Sequence, residues 1–160
     1  MSDPIPLTRK SVLPPGKQKL RLWLRMLRAT RRVEAELRER LRTTFGETLP
    51  RFDVLAALHK AEGGISLTQL SRMLMVSNGN VTGIIDRLVQ DGSVLRLSAV
   101  NDRRTTLVTL TADGAQRFAE MAAAHEIWVS ELLDAAGPEE TAILIDHLGP
   151  LAPKSPKGTM

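Results

Sequence analysis

The chain has 160 residues, 42% of them apolar and 25% charged, ordinary proportions and a length suited to one compact domain or one domain with a helical extension. It has no cysteine, which excludes disulfides, thiol redox chemistry, cysteine nucleophiles and cysteine-bound zinc together, and no apolar run approaches the roughly 20 residues of a membrane span. The net charge of +4 conceals an asymmetry: residues 1–110 hold 19 Lys/Arg against 10 Asp/Glu, and residues 111–160 hold 3 against 8. A basic first two-thirds suits a polyanionic partner, although a basic patch taken alone is more commonly a solvated face.

Residues 1–16 lack the charged, then apolar, then small order of a secretion signal and read as a flexible arm, closed by Pro14-Pro15-Gly16. From Lys17 to about Phe45 there is no Gly or Pro, strong helix formers dominate, and Gly46 stands where a helix C-terminus favours it. The second half of this helix carries a narrow stripe of Val33, Leu37 and Leu41. Its first half is apolar nearly all round, with Leu20, Leu22, Trp23, Leu24, Met26 and Leu27. Such a helix needs burial on several sides, which a subunit interface supplies. Pro50 suits the first turn of a second helix over Phe52–Ala61, ended by Gly63-Gly64.

Ser66-Leu67-Thr68-Gln69 has the form of a capping box opening a short helix through Leu74, and Ser77 caps the next, which runs to about Gln90 before Asp91-Gly92. Residues 66–91 therefore read as helix, three-residue turn, helix. Val94–Ser98 and Thr105–Leu110 change to β-branched and apolar runs around a turn, Ala99–Arg104, and predict a hairpin with a basic tip. Thr111 caps a long helix from about Ala112 to Ala136, with Asp113 at its positive end; Gly137-Pro138 breaks it. A last helix starts at Pro138 and stops near Gly149-Pro150, leaving residues 151–160 as a flexible tail. His59, His125 and His147 have no ligand spacing, so no metal site and no cofactor is expected.

Within this order, Asn101-Asp102-Arg103-Arg104 followed by Val108-Thr109-Leu110-Thr111-Ala112-Asp113-Gly114 resembles the D-R-R…V-x-L-T-x-x-G signature of the MarR family of regulators. The resemblance covers roughly residues 17–150. It implies a mainly α fold with a small β-hairpin: a winged helix-turn-helix with N- and C-terminal dimerisation helices. The DNA-binding lobe then spans about 50–110, and the dimerisation helices about 17–45 and 112–149. The expected function is that of a cytoplasmic, non-enzymatic transcription regulator. It would be a homodimer on double-stranded DNA with a palindromic operator, a repressor released by a small aromatic effector, with no membrane association. The stretch from Met75 to Gly92 is similar to a branch of the family associated with aromatic-acid catabolism, where free acids or their coenzyme A thioesters are the signals.

The residues support these roles independently. On helix 77–90, Val81, Ile84, Ile85 and Leu88 share one face. The other presents Gly79, Thr82, Gly83, Asp86, Arg87 and Gln90, with Ser77, Asn78 and Asn80 at the N-terminal end. Two glycines one turn apart each cost about 1 kcal/mol against Ala in an exposed helix, which makes sense where the backbone must lie close to another surface. Asn and Ser near a helix N-terminus suit base edges and phosphates; the bland alternative is a short polar surface helix. Arg103 and Arg104 at the hairpin tip suit a narrow minor groove, though D-R-R alone is usually a solvated turn. The resemblance implies that Asp102 orients Arg104 through an ion pair. Arg96 and Arg72 are further phosphate candidates, or simple surface charges.

The resemblance also implies an effector site lined by Trp23, Met26, Leu27 and Thr30 on the first helix, with Phe52 and His59 on the second and Trp128 beyond, where Arg25, Arg28 or Arg31 would meet a carboxylate or phosphate. The competing reading is that these are core residues. An enzyme is disfavoured: there is no G-x-S-x-G, no phosphate-binding glycine loop, and no paired carboxylates. A winged-helix module that binds protein instead of DNA remains the alternative.

Overall fold

The structure is a computed structural model that describes residues 14–152, apart from residues 62, 100 and 101; the side chains of residues 99 and 102–105 are also outside the description. In chain order it contains α1 (Pro15–Phe45), α2 (Leu49–Lys60), β1 (Ile65–Ser66), α3 (Leu67–Leu74), α4 (Asn78–Gln90), β2 (Val94–Ala99), β3 (Asp102–Leu110), α5 (Ala112–Leu132) and α6 (Pro138–Leu148), followed by a single 3-10 turn. By its internal contacts the chain divides into two units, residues 1–35 and 36–160. In the first, Leu20, Leu22, Trp23 and Leu24 are all exposed.

The second unit holds the core. Val54 and Leu55 of α2, Leu70 of α3, Val81, Ile85 and Leu88 of α4, Val108 of β3 and Met121 of α5 are fully buried. Helix α2 is central, packing on α3, α4, α5 and β3. This gives the helix-turn-helix one rigid backing and holds the wing beside it.

Local chemistry sets most boundaries. The Ser66 hydroxyl accepts from the Gln69 N–H at 3.3 Å, and Gln69 Oε1 accepts from the Ser66 N–H at 3.1 Å, a complete capping box. Thr111 Oγ1 accepts from the Gly114 N–H at 2.9 Å and donates to the Gly92 carbonyl at 2.7 Å, so one hydroxyl both opens α5 and ties it to the end of α4. The end of α4 is a Schellman motif. Gly92, at φ +74°, donates to Val89 O, and Ser93 donates to Leu88 O.

Several boundaries differ from the sequence expectation, and one strand was not expected; helix α1 begins at Pro15, inside the stretch read as an arm. Helix α2 begins at Leu49 because Pro50 fits within the first turn. Helix α5 ends at Leu132, and residues 133–135 form a turn before Gly137. Strand β3 extends back to Asp102, so Arg103 and Arg104 lie at its start and not in the turn. A two-residue strand, β1, pairs Ile65 with Val108 and makes the hairpin a three-stranded antiparallel sheet of order β1-β3-β2. Two residues carry no period, so only the neighbouring edge of β3 defines that strand.

Candidate nucleic-acid interface

Helix α4 is held by its apolar face. Val81, Ile85 and Leu88 are fully buried, while Ser77, Asn78, Gly79, Asn80, Gly83 and Arg87 are exposed and Thr82 is half-buried. Ser77 caps the helix, its hydroxyl accepting from the Asn80 N–H at 3.4 Å. Helix geometry offers no intrahelical acceptor to the N–H groups of Asn78 and Gly79, and the helix dipole makes this end positive. Thr82 Oγ1 donates to the Asn78 carbonyl at 2.8 Å.

The two glycines of this face have no reason inside the chain. A Cβ added at Gly79 or Gly83 meets nothing within 4 Å. Gly114, the last residue of the signature, is the opposite case: its Cβ would stand 1.9 Å from the Ser93 carbonyl oxygen. Gly114 is required by packing between α5 and the end of α4. Gly79 and Gly83 leave open space on the outside.

Arg96 on β2 is engaged within the chain, its Nη2 2.5 Å from Asp86 Oδ1 on α4, and the pair braces the wing against the helix. At the hairpin, β2 and β3 pair from Val94↔Leu110 to Ala99↔Asp102, with an irregularity between Ser98 and Ala99. The backbone thus carries Asp102, Arg103 and Arg104 at the far end of the wing. The expected ion pair of Asp102 with Arg104 lies outside the described residues.

Sequence reasoning missed an apolar patch at the helix-turn-helix turn. Met73, Met75 and Val76 are exposed, Met75 at 78%. Met75 adopts φ +54°, the position usually given to glycine, and the Val76 N–H donates to Ser71 O. The available signal was the run Met73-Leu74-Met75-Val76, more apolar residues than a short helix can bury on one face.

The residues expected to line an effector site fall in different surroundings. In the first unit Trp23, Thr30 and Arg31 are exposed, and Met26 and Leu27 are half-buried. In the second, Phe52 is buried and stacks on His125 with ring centroids 4.6 Å apart, while the His59 ring lies 4.9 Å from Phe118. Phe52 and Phe118 are themselves 5.6 Å apart, so four rings from α2 and α5 form one cluster. Burial holds the His125 imidazole below the ordinary histidine pKa of 6.5. Trp128 packs instead against Phe45, at 6.1 Å. Among the described residues no group of His, Asp and Glu is arranged to hold a metal ion, and no helix is long and apolar enough to cross a membrane.

Residues 48–106 match the profile of the MarR family. Among curated proteins, the chain is 41% identical over 87 residues to the transcriptional activatory protein BadR of Rhodopseudomonas palustris, an alignment covering 53% of this chain. The chain thus spans about half of that relative, 45% of its length. Among solved structures it is similar to a MarR family transcriptional regulator from Silicibacter pomeroyi, with TM-score 0.72 and 32% identity over 85% of this chain and 94% of the other. It is also similar to a variant of MarR from E. coli complexed with operator DNA, with TM-score 0.75 and 28% identity over 88% and 99% of the two chains.

Proposed function

Because the chain belongs to the MarR family of transcription regulators, we propose that it is a cytoplasmic, dimeric DNA-binding regulator, a repressor released by a small aromatic acid or its coenzyme A thioester. The lobe at about residues 50–110 binds a palindromic operator, one half-site per subunit, and the helices at about 17–45 and 112–149 pair two copies. The observation that carries the reading is the outer face of α4. It presents Asn78 and Asn80 at a positive helix end, beside two glycine positions with open space in front of them. That is a surface suited to lie against a groove, since asparagine pairs bidentately with adenine.

Ser77, Asn78 and Asn80 read or hold the major groove. Gly79 and Gly83 admit the backbone, and Thr82 and Arg87 flank the contact. Exposed Met75 and Val76 suit thymine methyl groups. Arg103 and Arg104 supply the wing's minor-groove and phosphate contacts, with Asp102 orienting Arg104. Arg96 acts through Asp86 and sets the wing's angle. For the effector, the candidate residues are Trp23, Met26, Leu27, Thr30 and Arg31 on α1 and Phe52 and His59 on α2. Arg25, Arg28 or Arg31 meets the carboxylate or phosphate.

The test is binding to DNA upstream of the chain's own gene, at three salt concentrations, with and without a panel of aromatic acids and their thioesters. Operator binding is expected to fall log-linearly with salt and to be released by one member of the panel. Arg104→Ala should flatten the salt slope by about one charge. Salt-insensitive retention of a protein partner, with no DNA binding, would replace this reading by the interaction-module alternative.

A further inference from the structure

A charged cluster outside the DNA-facing surface joins three helices. Glu47, in the α1–α2 corner, is 1% exposed, and its Oε1 accepts from the Thr48 N–H at 3.0 Å. Arg51 Nε approaches the same oxygen at 2.7 Å, and Arg117 Nη2 on α5 lies 3.2 Å from Oε2. Nη2 of the same Arg51 guanidinium pairs with Asp91, the C-cap residue of α4.

Two of these residues are electrostatically misplaced on their own helices. Arg51 is a cation in the first turn of α2, and Asp91 is an anion at the C-terminus of α4; each opposes the dipole of its own helix. Neither helix is served by them. They are served by each other, and Glu47 holds the shared guanidinium from behind. A guanidinium holds its nitrogens in one rigid plane, so ion pairs to one carboxylate at Nε and to another at Nη2 constrain an angle as well as a distance.

We propose that Arg51 is a positioning residue for DNA reading: clamped between Glu47 and Asp91, it sets the angle of α4 against α2, with Arg117 anchoring the clamp to α5. The inference rests on α4 reading an operator. Its consequence is a sign opposite to simple electrostatics. Asp91→Asn removes a negative charge from a protein that binds a polyanion, so charge alone raises its affinity for any DNA. Loss of the clamp lowers affinity for the operator and leaves random duplex unaffected or slightly favoured.

The experiment uses the full chain and a duplex that the wild-type protein selects from a random-sequence pool, with a scrambled duplex for comparison. Wild type, Asp91→Asn, Arg51→Gln and the double variant are compared for binding and for thermal unfolding. Asp91 has a side chain 42% exposed, so the Asn variant keeps its fold even if Arg51→Gln does not. Asp91→Asn is expected to bind the selected duplex about tenfold more weakly, with binding to the scrambled duplex unchanged or tighter. In the Arg51→Gln background it should add little, because the pair is already broken. Unchanged or increased operator affinity in Asp91→Asn, or equal loss on both duplexes, overturns the clamp alone. A wild-type protein that selects no duplex overturns the regulator reading and the clamp with it.

Discussion

Helices α4 and α6 are both short, amphipathic in sequence and close in length, yet they end in opposite situations. Helix α4 buries Val81, Ile85 and Leu88 completely within its own chain and turns an almost wholly polar face outward. Helix α6 buries nothing: Ile143, Leu144, Ile145 and Leu148 are all exposed, Ile145 at 65%. The first helix has its apolar partner already, so its outer face is available for a polar ligand. The second displays an apolar face of the kind that marks a protein contact. Under the dimer proposal, α6 is stabilised by association and α4 by folding.

The sharpest way to break this contrast is to damage each helix at its apolar centre. Leu88→Ala opens a cavity in a filled core and is expected to cost about 2–5 kcal/mol, read by urea unfolding at constant protein concentration. A loss under about 1 kcal/mol would mean that α4 is not held as described.

On the outer face of α4 the expectation separates binding from stability. Gly83→Leu replaces a poor helix former with a good one in open space, so the fold should gain up to about 1 kcal/mol. The same side chain blocks close approach to a groove, and operator affinity should fall by about a hundredfold, or about 2.7 kcal/mol. A Gly83→Leu protein that melts higher and still binds its operator would remove α4 from the groove.

Ile145→Asp probes α6. It places a charge where two copies are proposed to meet and should weaken dimerisation at least about tenfold. Sedimentation at micromolar concentration would show the mass moving from twice 17.6 kDa towards a single chain. Unfolding extrapolated to the lowest protein concentrations should change little. An unaltered dimer would place the interface elsewhere.

The smallest expected effect lies between the two helices, at His125 on α5. Burial against Phe52 lowers its pKa in the folded chain, so the unfolded chain takes up the proton first as pH falls. The stability associated with neutral His125 is therefore present above about pH 6.5 and declines below it. His125→Gln should flatten the stability–pH profile below that point. An identical slope in the variant would assign the pH dependence to other groups.

Much of this architecture was legible locally. The caps at Ser66, Ser77 and Thr111 are read within four residues of sequence, because a side-chain oxygen and a backbone N–H three positions on are always within reach of each other. The buried stripe of α4 follows from spacing alone. The extension of α2 to Leu49 and of β3 to Asp102 was not legible, since propensity at an element's edge is weak and neighbours decide it.

The amino-acid order by itself determined the succession of helices, the hairpin, the polar face of α4 and the glycine of the signature, all through contacts among near neighbours or a repeating period. Only the tertiary structure decided why folding requires glycine at Gly114 and not at Gly79 or Gly83, because that depends on which backbone lies opposite. It also decided that Met75 takes a left-handed turn, that Ile65 pairs with Val108, and that Glu47, Arg51, Asp91 and Arg117 meet. The outermost of these four charges, Glu47 and Arg117, are 70 residues apart in sequence. A charge at the wrong end of a helix reads as an imperfection until folding brings its counter-ion alongside.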